Sequence, residues 1–313
     1  MFTRKSLRGP RPRARLAASL AVLALLSAAP ALAQAPDYSG WQALLDRYLV
    51  RTGGGKSQPA DTRFDYEQLY VDESIWSKKR SDRLDQVRAQ LLAATPSALD
   101  GNARLAWAIN TYNFLVVERA TLLLLVPRRQ FQRYESVDQM TSPDGMFFDA
   151  QVAKVEGRSY SMAEFERRFV YGDSTPVIEP RRLAGDPRLM FALCRGSIGG
   201  PPLAPRAFRP ESLQAQLDQA ARTALAHPRM AAPDVAAKKL LVCNYLGERL
   251  VDFGGSAAGI LPFLEKHAPP ALRSFIRREK VTGVTRFTPV DPKLNQFPRP
   301  KPTPPQPAAA PKS

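Results

Sequence analysis

The sequence has few of the residues that most enzymes and metalloproteins use for chemistry. Its 313 residues include two cysteines and two histidines. Two cysteines are too few for a disulfide-based fold, and two histidines cannot build a histidine-rich metal site. After residue 33, no apolar stretch reaches the roughly 18 residues that a membrane-spanning helix needs. We therefore expect a fold held by a hydrophobic core, with no cofactor, no metal and no transmembrane span in the mature chain.

The first 33 residues have the features of a secretory signal peptide. They contain six cationic residues and no acidic one, then an apolar run from Leu16 to Leu26, then Ala31-Leu32-Ala33. Cleavage near Ala33 predicts a periplasmic or secreted protein. It would also remove part of the formal charge of +16, since residues 34–313 contain 39 cationic and 29 acidic side chains. The charge of the whole chain is therefore a poor guide to function, and nucleic acid is not an expected partner outside the cytoplasm.

Composition divides the chain into four segments. We predict a signal peptide at 1–33, an N-terminal helix and linker at 34–63, a folded domain at 64–297 and a proline-rich tail at 298–313. The linker is placed at Gly53-Gly54-Gly55, where the predicted helix 41–50 has ended. Seven of the last sixteen residues are prolines, which is typical of an extended, disordered arm.

Helical patterns dominate residues 64–297, so we predict an α+β fold: a mostly helical single domain with a small antiparallel β element. Residues 102–126 are apolar on nearly all sides, which is typical of a buried central helix. Residues 144–160 alternate in polarity around a turn at Glu156-Gly157 and predict a hairpin. Ser161 and Glu164 fit a capping box that begins a helix to about Val170. Further helices are predicted at 66–71, 73–94, 211–226 and 271–279, and strands at 240–245 and 283–288.

Several short motifs follow one another along this domain. Trp107-Ala-Ile-Asn110-Thr-Tyr112-Asn113 lies on the predicted central helix, after Phe64-Asp65-Tyr66. Asp186-Pro187-Arg188, Pro201-Pro202-Leu203 and Asp252-Phe253-Gly254-Gly255 follow it. In order and spacing, these motifs resemble the domain of unknown function 547 family, a group of bacterial and plant proteins without a settled activity. The resemblance extends over roughly Phe64 to Asn295.

The resemblance also implies reactive side chains that this chain lacks. Family members have a histidine and two cysteines near the Asp-Pro-Arg segment, and a Glu-His pair on the preceding helix. Here Met190 stands at the first histidine position, Arg195 and Gly200 at the cysteine positions, and Arg167 at the second histidine position. Cys194 lies one residue before the expected cysteine. If the family pattern builds a thiol–imidazole site, this chain lacks the side chains to operate it.

The candidate pocket consists of polar residues in and around these motifs. They are Asn110, Tyr112, Asn113, Glu166, Asp186, Arg188, Arg195 and Ser197. Asn110 and Asn113 share one helix face and either hold a neighbouring loop, which we favour, or contact a substrate. The glycine-rich loop after Arg195 either forms a tight turn, which we favour, or cups an anion with its backbone N–H groups.

The remaining ionisable residues have mainly structural interpretations. Asp186, Arg188 and Glu166 are expected to form a charged cluster that positions loops, with Glu166 as a general base the alternative. Cys194 and Cys243 are expected to be buried free thiols rather than a disulfide. The two histidines, His227 and His267, are expected to be exposed at helix ends.

We therefore expect an exported, non-catalytic binding or scaffold module with an altered pocket. Its expected partner is an anionic small molecule or a component of the cell envelope. The alternative is a hydrolase-like enzyme with a pocket around Asn110, Glu166 and Arg195.

Overall fold

Helices joined by short loops dominate the computed structural model, which describes residues 36–55, 58–73, 81–124, 134–172 and 185–298. The predicted signal peptide and the tail beyond Pro298 lie outside these ranges. The described residues confirm an α+β, mostly helical fold with small antiparallel sheets. Among them, no helix combines the length and the apolar composition needed to cross a membrane.

The N-terminal helix packs into the main core. Helix α1 (Ser39–Tyr48) buries Trp41, whose ring stands edge-on to Phe114 at a centroid distance of 5.9 Å. Strand β1 (Leu49–Thr52) follows at once and pairs antiparallel with β2 (Asp61–Phe64). The triple glycine at 53–55 lies in the loop between these strands, and both Gly53 and Gly54 have positive φ. The predicted linker thus connects two paired strands.

A central helix organises the first half of the fold. Helices α2 (Tyr66–Asp72) and α3 (Arg83–Leu92) pack against α4 (Gly101–Leu124). The side chains of α4 are buried on nearly all sides, including Trp107, which confirms the predicted central helix. Each large side chain buried in this way stabilises the fold by about 1.5–3 kcal/mol.

The predicted hairpin and capping box are both present. After a short ladder of β3 (Thr141–Ser142) and β4 (Gly145–Met146), strand β5 (Gln151–Val155) pairs antiparallel with β6 (Arg158–Ser161). The turn residues Glu156 and Gly157 both have positive φ. Ser161 then caps α5 (Met162–Phe165), with Glu164 completing the box. The helix predicted to reach Val170 continues as a π-helical turn over Glu166–Val170.

The second half builds a separate hydrophobic cluster around a three-stranded sheet. Its helices are α6 (Leu189–Ala192), α7 (Leu213–Leu225), α8 (Asn244–Glu248), α9 (Ile260–His267) and α10 (Pro270–Arg278). Its strands are β7 (Ala231–Asp234), β8 (Lys239–Cys243) and β9 (Val284–Thr288), in that spatial order. The β7–β8 pair is antiparallel and the β8–β9 pair is parallel.

Candidate functional site

Two asparagines on α4 each hold a segment of backbone. Asn110 donates to the carbonyl of Phe208 at 2.8 Å and accepts from the N–H of the same residue at 2.9 Å. Asn113 donates to the carbonyl of Ala192 at 2.9 Å and accepts from the N–H of Cys194 at 2.7 Å. Both side chains are buried, and the oxygen and nitrogen of each amide are hydrogen-bonded to the backbone. Of the two interpretations, the structure supports the loop-holding one.

The glycine-rich loop after Arg195 pairs with the C-terminal segment of the domain. Ile198 donates its N–H to the carbonyl of Lys293 at 2.7 Å, and Gly199 donates to that of Asp291 at 3.0 Å. A Cβ on Gly199 would lie 2.4 Å from the backbone nitrogen of Asp291, so this close approach requires glycine. Because these N–H groups are occupied, the loop does not form the anion cradle that was the alternative interpretation.

Glu166 and Arg195 form an ion pair. Nη2 of Arg195 lies 2.8 Å from Oε1 of Glu166, and the two side chains are 24% and 12% exposed. The guanidinium also lies over the ring of Tyr245, at 5.5 Å from its centroid. Burial is the largest influence and opposes the charge of Arg195, but Glu166 together with the surrounding tyrosines outweighs it and raises the pKa of the guanidinium well above its ordinary value. Arg195 therefore keeps its charge across the physiological range.

Arg195 lines a cleft of about 310 Å³, here named the Arg195 cleft. Its polar wall includes Asp138, Ser197, Tyr245 and Glu248. Ser197 is 5% exposed, and its Oγ makes no well-formed hydrogen bond with another described residue, although it lies close enough to the Tyr245 hydroxyl to oppose the rise in the pKa of Tyr245 that burial causes. Since buried polar atoms are normally paired, this hydroxyl marks a place where a water or a ligand atom completes the structure.

Two tyrosine hydroxyls near the ion pair are also buried without a partner in the described part of the chain. They belong to Tyr112 on α4 and to Tyr171 just after the π-helical turn. Burial raises the pKa of both hydroxyls well above the ordinary tyrosine value, while Arg195 and Glu166 act on them electrostatically. Neither tyrosine lines the Arg195 cleft.

Residues 96–223 match the family model described as "Protein of unknown function, DUF547". Over these residues, the chain resembles the DUF547 family, as the sequence motifs predicted. The matched region begins just before α4 and ends within α7, so it includes the whole predicted pocket. No curated protein matches the chain, and no solved structure matches it.

The four positions that differ from the residues expected from the family resemblance lie in different surroundings. Met190 is 5% exposed and packs in the second hydrophobic cluster. Arg195 forms the ion pair described above, and Gly200 accepts hydrogen bonds from Arg229 through its carbonyl. Each departure therefore has a structural role of its own, except at Arg167, for which the described contacts give no specific explanation.

Cys194 is a buried free thiol, and so is Cys243, as predicted. The Sγ of Cys194 accepts the N–H of Gly196 at 3.3 Å. Burial raises the pKa of the Cys194 thiol to about 11. Because the thiolate is the nucleophilic form, this cysteine is not activated at neutral pH.

Asp186 and Arg188 do not join Glu166, contrary to the predicted cluster. Arg188 pairs with Asp186 at 2.5 Å and with Asp218 on α7 at 2.8 Å. It also donates to the side chain of Gln214 at 2.6 Å. The correction has a simple cause: Arg188 lies at the start of α6, which packs on α7, whereas Glu166 faces the loop at 195.

The prediction that the histidines are exposed is wrong. His227 is 6% exposed, and His267 is 4% exposed. Nε2 of His227 contacts the carbonyl of Ala60 at 2.9 Å, and its Nδ1 contacts Nη1 of Arg229 at 2.9 Å. Since arginine only donates and a carbonyl only accepts, His227 is the neutral tautomer with its proton on Nε2.

Sequence reasoning missed a buried arginine that lies beside the site. The guanidinium of Arg249 stacks on the ring of Tyr171 at 3.7 Å and pairs with Asp252 at 2.6 Å. Asp252 also accepts the N–H of Gly185 at 2.9 Å. The i,i+3 spacing of Arg249 and Asp252 was the available signal. Nearby, Ser256 caps the following turn by accepting the N–H of Gly259.

No group of three or more histidine, cysteine, aspartate or glutamate side chains is arranged to hold a metal ion within the described ranges. Near the Glu166–Arg195 pair, the buried atoms that make no well-formed hydrogen bond with another described residue are the hydroxyls of Tyr112, Tyr171 and Ser197. The chemistry that this arrangement supports is hydrogen bonding to a ligand.

Proposed function

We propose that this protein is an exported, non-catalytic binding module of the cell envelope. Its ligand binds in the Arg195 cleft, where it supplies the hydrogen bond that the Oγ of Ser197 lacks. The single observation that carries the proposal is this buried hydroxyl, which makes no well-formed hydrogen bond within the described residues and lies beside an arginine already neutralised by Glu166. A pocket of this kind recognises polar groups without activating them.

The groups that a hydrolase would need are all held in inactive states. A nucleophile requires a base or a lowered pKa. Cys194 has a raised pKa and lies in the core, and Ser197 has no base bonded to it. Glu166 is occupied by Arg195, and Asn110 by the backbone of Phe208. The geometry therefore favours binding over the hydrolase-like alternative.

The charge of the cleft restricts the ligand class. Asp138 and Glu248 line it, and Glu166 compensates the positive charge of Arg195. A small anion would meet two carboxylates there, whereas a neutral or cationic polar molecule would not. We therefore favour a hydroxyl- or amide-bearing ligand at this cleft over the anionic small molecule expected from the sequence.

Binding is tested with probes of three charge classes. N-acetylglucosamine is the neutral probe, lysine the cationic probe and citrate the anionic probe, each measured by calorimetry. We expect the neutral or the cationic probe to bind, and Ser197→Ala to weaken that binding by about fivefold through the lost hydrogen bond. Ser274→Ala, on the exposed surface of α10, is the matched control.

Two outcomes would contradict the proposal. One is failure of both the neutral and the cationic probe to bind the folded protein. The other is hydrolysis of an ester such as p-nitrophenyl acetate that disappears in a stable Glu166→Gln variant. Export is tested separately, by fractionating cells that express the full chain and sequencing the N-terminus of the mature protein. Cytoplasmic protein with an intact N-terminus would contradict export.

A further inference from the structure

A second cleft, here named the hairpin cleft, lies between the β1–β2 hairpin, residues 202–208 and α7. Its volume is about 460 Å³, and it shares no lining residue with the Arg195 cleft. Most of its wall is apolar. The apolar lining residues include Ala60, Pro202, Leu203, Pro205, Phe208 and Ala220. A concave wall of this composition suits the aliphatic part of a ligand.

Two arginines line this cleft without a counter-charge. Arg51 on β1 and Arg206 are both exposed, and neither side chain forms a hydrogen bond or an ion pair with another described residue. The acidic residue of the lining, Asp61, is occupied. It accepts two hydrogen bonds of 3.0 Å from Arg229 and one of 3.1 Å from Arg63. The cleft therefore presents net positive charge beside an apolar wall.

We propose that the hairpin cleft binds a free, single-chain alkyl carboxylate. The chain packs on the apolar wall, and the carboxylate accepts hydrogen bonds from Arg51 and Arg206, because guanidinium groups match carboxylate geometry. Charge complementarity excludes the proline-rich tail of this chain as the occupant, since its charged residues, Arg299, Lys301 and Lys312, are all cationic. This inference does not rest on the proposed function of the Arg195 cleft.

Calorimetry with three small probes tests the proposal. Octanoate carries both the chain and the charge, octanol carries the chain alone, and acetate carries the charge alone. We expect octanoate to bind more tightly than either of the others. The double variant Arg51→Gln/Arg206→Gln should weaken octanoate binding about tenfold, the size expected for two partly exposed ion pairs. Arg222→Gln, an exposed arginine of α7 that does not line the cleft, is the matched control.

A second variant tests the apolar wall. Ala220→Leu places a larger side chain in the cleft and should also weaken octanoate binding, with thermal melting used to show that the variant is folded. Equal binding of octanol or acetate, unchanged binding in the double variant, or no octanoate binding to the folded protein would each overturn the proposal. Ser197→Ala should leave octanoate binding unchanged, so failure here is distinguishable from failure at the Arg195 cleft.

Discussion

The side chain of Asn113 accepts a 2.7 Å hydrogen bond from the backbone N–H of Cys194. The same amide donates to the carbonyl of Ala192 at 2.9 Å, so it holds both ends of a three-residue segment. That segment leads directly into Arg195 and the glycine-rich loop. The position of Arg195 against Glu166 thus depends on an asparagine of the central helix.

Replacement of Asn113 by leucine should be strongly destabilising. It leaves a buried N–H and a buried carbonyl without partners, which costs about 2–4 kcal/mol in the free energy of unfolding. Urea denaturation followed by circular dichroism measures this change. Asn102→Leu, on the exposed first turn of the same helix, is the matched control and should change stability by no more than about 0.5 kcal/mol. A loss below about 1 kcal/mol for Asn113→Leu would contradict the loop-holding role.

Replacement of Arg195 by methionine should lower the free energy of unfolding, because Glu166 loses the partner of its ion pair. Glu166 then keeps a largely buried carboxylate without its cation, and we expect a loss of about 1–3 kcal/mol, since Arg195 retains some solvent contact. The double variant Glu166→Gln/Arg195→Met removes the unpaired charge and should recover much of that loss. Denaturation at neutral pH measures both variants, with Arg104→Met on the surface of α4 as the control. Additive losses would show that the two side chains are not coupled.

Local patterns were sufficient to predict many elements of this fold. The capping box at Ser161 and Glu164, the Glu156-Gly157 turn and the central helix α4 each depend on residues that are close in sequence. Their formation requires no knowledge of what packs against them. The resemblance to the DUF547 family was likewise carried by short motifs, and the family match confirms it over residues 96–223.

Partners that are distant in sequence were not predictable in the same way. The sequence motifs identified four charged residues as candidates: Glu166, Asp186, Arg188 and Arg195. Which of them form ion pairs depends on the packing of α6 on α7, which places Arg188 beside Asp218. Residues 291–297 have no periodic pattern, yet they pair with the glycine-rich loop and with Phe64. The buried histidines show the same limit, because a helix-terminal position does not reveal which loop covers it.

The thiols provide a test of the buried core. Cys194 has a pKa raised to about 11 by burial, and burial also raises the pKa of Cys243. We expect neither to react with Ellman's reagent at pH 8 in the native protein, and both to react in denaturant without reductant. A reaction that requires reductant would demonstrate a disulfide instead. Fast reaction of native Cys194 would contradict its buried, protonated state.

His227 should make stability depend on pH below about 6.5. Burial lowers the pKa of its imidazole below the ordinary histidine value of 6.5, and the neighbouring Arg229 lowers it further. Because the folded pKa is depressed, the unfolded chain takes up the proton first as the pH falls. The contribution of His227 is therefore complete above pH 6.5 and is lost between that value and the lower folded pKa.

His227→Gln isolates this contribution. Glutamine keeps an N–H for the carbonyl of Ala60 but does not titrate, so the variant should lose less unfolding free energy than the wild type between pH 7.5 and pH 5. Burial also lowers the pKa of His267. His267→Gln should therefore also lose less unfolding free energy than the wild type between pH 7.5 and pH 5. Urea denaturation at the two pH values measures each difference. Parallel pH profiles for wild type and His227→Gln would show that the pKa of the histidine is the same in the folded and unfolded protein, in conflict with its burial beside Arg229.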